Sequence, residues 1–135
     1  MGDPGSPREL GVAAQDGHVV AYFNPCEDSG ISSIRLIRID GNKDSPIWVV
    51  SSDGAPRPVR DFAVGTAPDG FATELDLQGD SLEGRLLLEL QKPDGIEVVE
   101  FRLEDLEEDR FRLAGRQYMG QDDYRAADSC QLTRS

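Results

Sequence analysis

Imidazole and thiol groups are scarce in this sequence: His18 is the only histidine, and Cys26 and Cys130 are the only cysteines. Structural zinc takes about four Cys or His ligands, so these three residues cannot complete such a centre. Any Ser-His-Asp arrangement would have to run through His18. That residue directly follows Asp16-Gly17, where an exposed polar residue opening a strand is ordinary. No G-x-S-x-G nucleophile elbow occurs. Gly65, Gly70 and Gly79 lie too far apart for a phosphate loop, and no G-K-[ST] follows them. The chain also lacks the run of about eighteen apolar residues that a membrane-spanning helix needs. Cations are few as well: 14 Lys and Arg, scattered singly, stand against 26 Asp and Glu for a net charge of −12. Nucleic acid and anionic lipid surfaces select basic patches, so neither is expected as a partner.

What the sequence does contain is a succession of short Val-, Ile-, Leu- and Phe-rich segments between Gly, Pro, Asp and Asn, the pattern of an all-β domain. Strands are expected near 10–14, 18–23, 31–39, 46–51, 59–64, 71–77, 84–91, 96–103 and 111–114. The clearest hairpin spans 84–103. Leu86, Leu88 and Leu90 alternate with polar neighbours, and Lys92-Pro93-Asp94-Gly95 supplies the turn. In its second arm Ile96 and Val98 hold one parity while Val99, Phe101 and Leu103 hold the other, which predicts a β-bulge between Val98 and Val99. Asp16-Gly17 and Asp40-Gly41-Asn42 read as further tight turns. Ser51 to Pro58, with Gly54, Pro56 and Pro58, cannot be a central strand and is expected as a crossover or rim loop. Met1 to Glu9 has no apolar stretch and reads as a disordered stub, leaving residues 10–135 as one domain. Gly120 to Asp128 lacks alternation and is read as one short helix, or else an irregular tail.

Other candidate chemistry is thin. Asp40, Asn42 and Asp44 resemble the opening of a calcium loop, but Ser45 and Ser51 occupy the places of its Gly and bidentate Glu, so a polar turn is the better reading. Glu74, Asp76, Glu89, Glu97 and Glu100 are expected to point outward as solubilising residues, and no glycosidase-type pair stands out among them. The acidic run Glu104 to Asp109 is expected as a solvated corner, with Leu106 turned back to the core. Trp48, Phe62, Phe71, Leu75, Leu88, Phe101 and Leu103 form the expected core.

A disulfide between Cys26 and Cys130 is favoured over two free thiols, and no zinc, calcium or organic cofactor is expected. Closing a loop of about 100 residues stabilises by at most about 4.7 kcal/mol in the chain-entropy view. Taken together, Asn24-Pro25-Cys26, the stretch Phe62-Ala63-Val64-Gly65-Thr66-Ala67-Pro68-Asp69-Gly70-Phe71, and Tyr118 with Asp122-Asp123-Tyr124 and Cys130 resemble small secreted proteins and lipoproteins of actinobacteria. The resemblance implies an extracytoplasmic β-sandwich with a bridge from the first strands to the C-terminus, and it supplies no catalytic residues. The expectation is therefore an antiparallel β-sandwich of immunoglobulin-like character. It would act as a non-enzymatic binding module outside the cell or in the envelope, its partner an envelope protein or glycan, and any lipid anchor would lie on a segment outside this chain. The alternatives are a small hydrolase or carbohydrate-active domain using a carboxylate pair, and a subunit that acts only within an oligomer. Mass measurement after alkylation without reductant should show no modified thiol, and two alkylated cysteines in the oxidatively purified protein would overturn the bridge.

Overall fold

The computed structural model describes residues 10–16, 18–23, 30–77, 82–93, 95–108, 110–113 and 117–120. Ten strands are formed there: β1 (Leu10–Gln15), β2 (His18–Phe23), β3 (Ser33–Asp40), β4 (Lys43–Ser52), β5 (Asp61–Ala63), β6 (Phe71–Leu75), β7 (Arg85–Lys92), β8 (Gly95–Phe101), β9 (Arg110–Leu113) and β10 (Gln117–Gly120). They make two five-stranded antiparallel sheets, the first in the order β10-β9-β1-β2-β5 and the second in the order β6-β4-β3-β7-β8. The runs β1-β2-β5 and β3-β7-β8 repeat the A-B-E and C-F-G orders of the immunoglobulin sandwich. The expected Cys26–Cys130 bridge, the expected N-terminal stub and, beyond Gly120 itself, the helix expected over Gly120 to Asp128 all fall outside the described residues.

The turns explain much of the connectivity. Gln15 pairs with His18 across Asp16-Gly17, and Asp16 sits at φ +53°, a left-handed conformation that Asp tolerates. Asp40 pairs with Lys43 across Gly41-Asn42, with Gly41 at φ +65°. The Ser51–Pro58 region divides in two: β4 runs on to Ser52, and the Pro-rich remainder crosses to the first sheet, pinned by paired backbone hydrogen bonds between Ile31 and Arg57. Gly30 lies so close to this strap that a Cβ there would sit 2.7 Å from the Arg57 backbone nitrogen, and glycine is the residue that fits.

Period-two alternation places Leu10, Val12, Val19, Ala21, Phe23 and Phe62 of the first sheet against Ile34, Leu36, Trp48, Val50, Leu86, Leu88, Leu90, Val99 and Phe101 of the second. Trp48 is fully buried, and its ring centroid lies 6.4 Å from that of Phe62. Expected core positions Trp48, Phe62, Leu88 and Phe101 are buried, Phe71 is half-buried, and Leu75 and Leu103 are 40% and 41% exposed.

Leu75 leaves the core because Val49 pairs with Leu75 while Val50 pairs with Thr73, making Glu74 an extra residue that switches Leu75 to the outer face. Leu103 leaves it because the chain quits the sheet after Phe101 for a 3-10 turn over Leu103–Asp105, and Leu106 packs on the core instead. The bulge expected between Val98 and Val99 is absent, since β7 and β8 pair without a shift. Bulges occur at Glu74 and at Ile47, the latter beside Pro46, which has no N–H to give a ladder. A tenth strand, β10, pairs with β9 beyond the last strand read from the sequence.

Trp48→Ala should cost about 3–5 kcal/mol, read as a shift in denaturation midpoint. Leu103→Ala, on the surface, should cost under about 1 kcal/mol in the same measurement.

Candidate functional site

His18 opens β2 and is exposed on the outer face of the first sheet. Along that face Val20 pairs with Ala63 and Tyr22 with Asp61, so the nearest acid on β5 lies about 13 Å from His18 along the strand. No His-Asp dyad forms between them. Beside them a shallow hollow of about 380 Å³ is lined by Gln15, Val20, Asp61, Phe62 and Ala63. Val20, Phe62 and Ala63 give it apolar walls beside the polar Gln15 and Asp61, its only carboxylate. Further along the same face Tyr22 stacks on the fully buried Phe111, with centroids 5.8 Å apart.

The polar turn at Asp40-Gly41-Asn42 does not gather ligands. Asp40 pairs with Lys43 and Ile39 with Asp44, so Asp40 and Asp44 point to opposite faces of the hairpin. Among the described residues no three His, Cys, Asp or Glu side chains group as a metal site.

The acids read as outward-facing divide by partner. Glu74 accepts a hydrogen bond from the Ser51 hydroxyl, and Asp76 is exposed. Glu89 accepts from Arg35 Nε at 2.7 Å and also from its Nη2, and Glu100 accepts from Arg85 Nε at 2.8 Å. The hydrogen bond to Glu100, its charge and then the charge of Asp44 raise the Arg85 guanidinium above its usual pKa. Glu97 departs from expectation: it is 5% exposed on the inner face of β8, with Lys92 Nζ 3.6 Å away. An inward-pointing charge on an edge strand discourages further strand pairing, and the Lys92 ammonium offsets its burial.

The outer face of the second sheet is different in kind. One row across its strands runs Leu75, Val49, Arg35, Glu89 and Val98, and the next runs Pro46, Ile37, Leu87 and Glu100. Ile37, Val49 and Leu87 are half-buried, while Ile96, Leu75 and Val98 are 50%, 40% and 37% exposed. The result is an open apolar band whose central charges, Arg35 with Glu89 and Arg85 with Glu100, are paired within the face. It is a locally neutral area on a chain of net charge −12. The opposed parities of Ile96-Val98 and Val99-Phe101 were its trace in the sequence: both faces of β8 carry apolar residues.

No protein-family model, curated protein or solved structure matches the chain. Among the described residues no helix is long and apolar enough to cross a membrane.

Lys92→Met removes the ammonium beside the buried Glu97 carboxylate and should destabilise by about 1–3 kcal/mol. Combining it with Glu97→Leu should recover most of that loss, because an apolar pair of similar volume needs no charge compensation. A thermodynamic cycle from urea titrations of the four proteins checks this.

Proposed function

We propose that this protein is a non-enzymatic interaction module of the extracellular space or cell envelope, binding through the outer face of its second sheet. The observation that carries this is the apolar band of Leu75, Val49, Ile37, Leu87 and Val98 on an open sheet face, with its central charges already paired. Contiguous exposed apolar area on a soluble domain marks contact with another macromolecule. A flat face of this kind suits a protein partner better than a glycan, which is usually held by grooves and polar side chains. The acids support the same reading. Glu89, Glu97 and Glu100 are each held by a cation, whereas carboxylate-pair hydrolysis needs two acids whose environments push their pKa values apart across a cleft.

The extracytoplasmic part of the proposal rests on the cysteines and the secreted-protein resemblance. β2 ends at Phe23 and β10 at Gly120, in one sheet and on the order of 20 Å apart. The chain from those ends to Cys26 and Cys130 has a reach of about 3.3–3.6 Å per residue, enough to let the two meet.

The test is retention of immobilised protein's partners from an envelope extract, comparing wild type with Val98→Asp/Leu87→Asp on the band and His18→Ala on the other sheet. Loss confined to the band variant, with an unchanged thermal midpoint, supports the proposal. Turnover of ester, peptide or glycoside substrates by the wild type would overturn it.

A further inference from the structure

The central rows of this band are self-complementary. β3 and β7 are adjacent strands of the sheet, and they carry Arg35 opposite Glu89 and Ile37 opposite Leu87. Consider a two-fold axis parallel to the strands, lying in the contact plane midway between β3 and β7. It brings β3 of one copy over β7 of another and β4 over β8. Arg35 then meets Glu89 of the second copy, Ile37 meets Leu87, and Val49 meets Val98, each contact occurring twice. In the central row apolar residues meet apolar residues and Arg35 meets its opposite charge, while Glu100 and Arg85, over Pro46 and Ile39 of the second copy, keep the pair they make with each other within one chain. Resting on the reading of this face as an interaction surface, we propose that its partner is a second copy of this chain, packed sheet on sheet at about 10 Å.

Charge and area both bear on the choice. Each copy carries −12, so self-association is tolerable only where the local charge is compensated, and the Arg35–Glu89 and Arg85–Glu100 pairs make this face such a place. Four of the five strands overlap across that axis, and at about 4.8 Å spacing with some seven residues at about 3.3 Å they give a projected face on the order of 440 Å². A standard stable interface takes about 800 Å² from each partner, so the dimer is a reversible one in the micromolar range or weaker. The edge strand β8 keeps its inward Glu97, which blunts edge-to-edge pairing and leaves the face as the route of association.

The experiment is sedimentation or light-scattering mass from about 1 µM to about 1 mM protein, the range in which an interface of this size titrates. Wild type should rise from 14.8 kDa toward twice that mass. Arg35→Glu alone sets acid against acid across the axis, Glu89→Arg alone sets base against base, and each should weaken association at least ten-fold. An equimolar mixture of the two single variants should restore it as a heterodimer, and so should the double variant R35E/E89R. The Arg35 and Glu89 side chains are 44% and 14% exposed, so circular dichroism and thermal melting check that each single variant folds, and the double variant R35E/E89R controls for any packing loss at Glu89. A wild type that stays monomeric throughout, a dimer indifferent to the single variants, or a mixture that does not re-associate would each overturn the homotypic partner. If the wild type is monomeric and the Val98→Asp/Leu87→Asp variant still loses its extract partner, the interaction surface stands and only the second-copy assignment fails.

Discussion

The contact between the two inner sheet faces, centred on Trp48 against Phe62, is the constraint on which the remaining structure depends. Each sheet alone would expose a continuous apolar face; together they remove it from water, and each large aromatic contributes on the order of 150–250 Å² of buried surface. Residues that cannot take part are displaced to places where they do other things. Pro46 is accommodated beside the bulge at Ile47, which lets Trp48 still turn inward, and the bulge at Glu74 sends Leu75 outward. The exposed band of the second sheet is thus partly a product of how the core was closed.

The two outer faces differ because their strands differ. In the first sheet, outward positions hold Gln15, His18, Asp61 and small Ala13 and Ala63, with Val20, Tyr22 and Phe111 as a local apolar cluster at one side. In the second sheet, outward positions on the central strands are Ile37, Val49 and Leu87 interleaved with paired Arg and Glu. Alternation in a half-exposed antiparallel sheet normally puts polar residues outside. Where the outside positions are branched aliphatics, apolar area is left open on the face, and the proposed interaction surface rests on that area.

Charge placement reinforces this division. The acid excess is spread over turns, corners and strand ends, while Glu89 and Glu100 within the band are tied to arginines, Glu74 beside it accepts from Ser51, and Glu97 is turned inward beside Lys92. The acidic corner after β8 is organised rather than merely solvated: Asp105 accepts from the Arg102 backbone N–H at 3.1 Å, and Arg110 donates to Glu107. Such exposed pairs contribute little stability singly. Their consequence is to decide where the surface is neutral and where it repels.

By itself the sequence determined the all-β class, the tight turns at Asp16-Gly17 and Gly41-Asn42, the hairpin through Pro93, and the burial of Trp48, Phe62, Leu88 and Phe101, because strand alternation and turn chemistry are local properties. It also bounded the chemistry, since one histidine and scattered cations leave few catalytic or nucleic-acid arrangements. The tertiary structure alone decided which parity faced the core at Glu97, Ile96 and Val98. Both parities of β8 carry aliphatics, and only pairing against Leu88 and Leu90 of β7 and closure on the first sheet choose between them. The same holds for Leu75, whose face is reversed by an extra residue that no local pattern marks. The candidate surface was illegible for that reason: its members lie on five strands separated in sequence, and a sheet face exists only once those strands are in register.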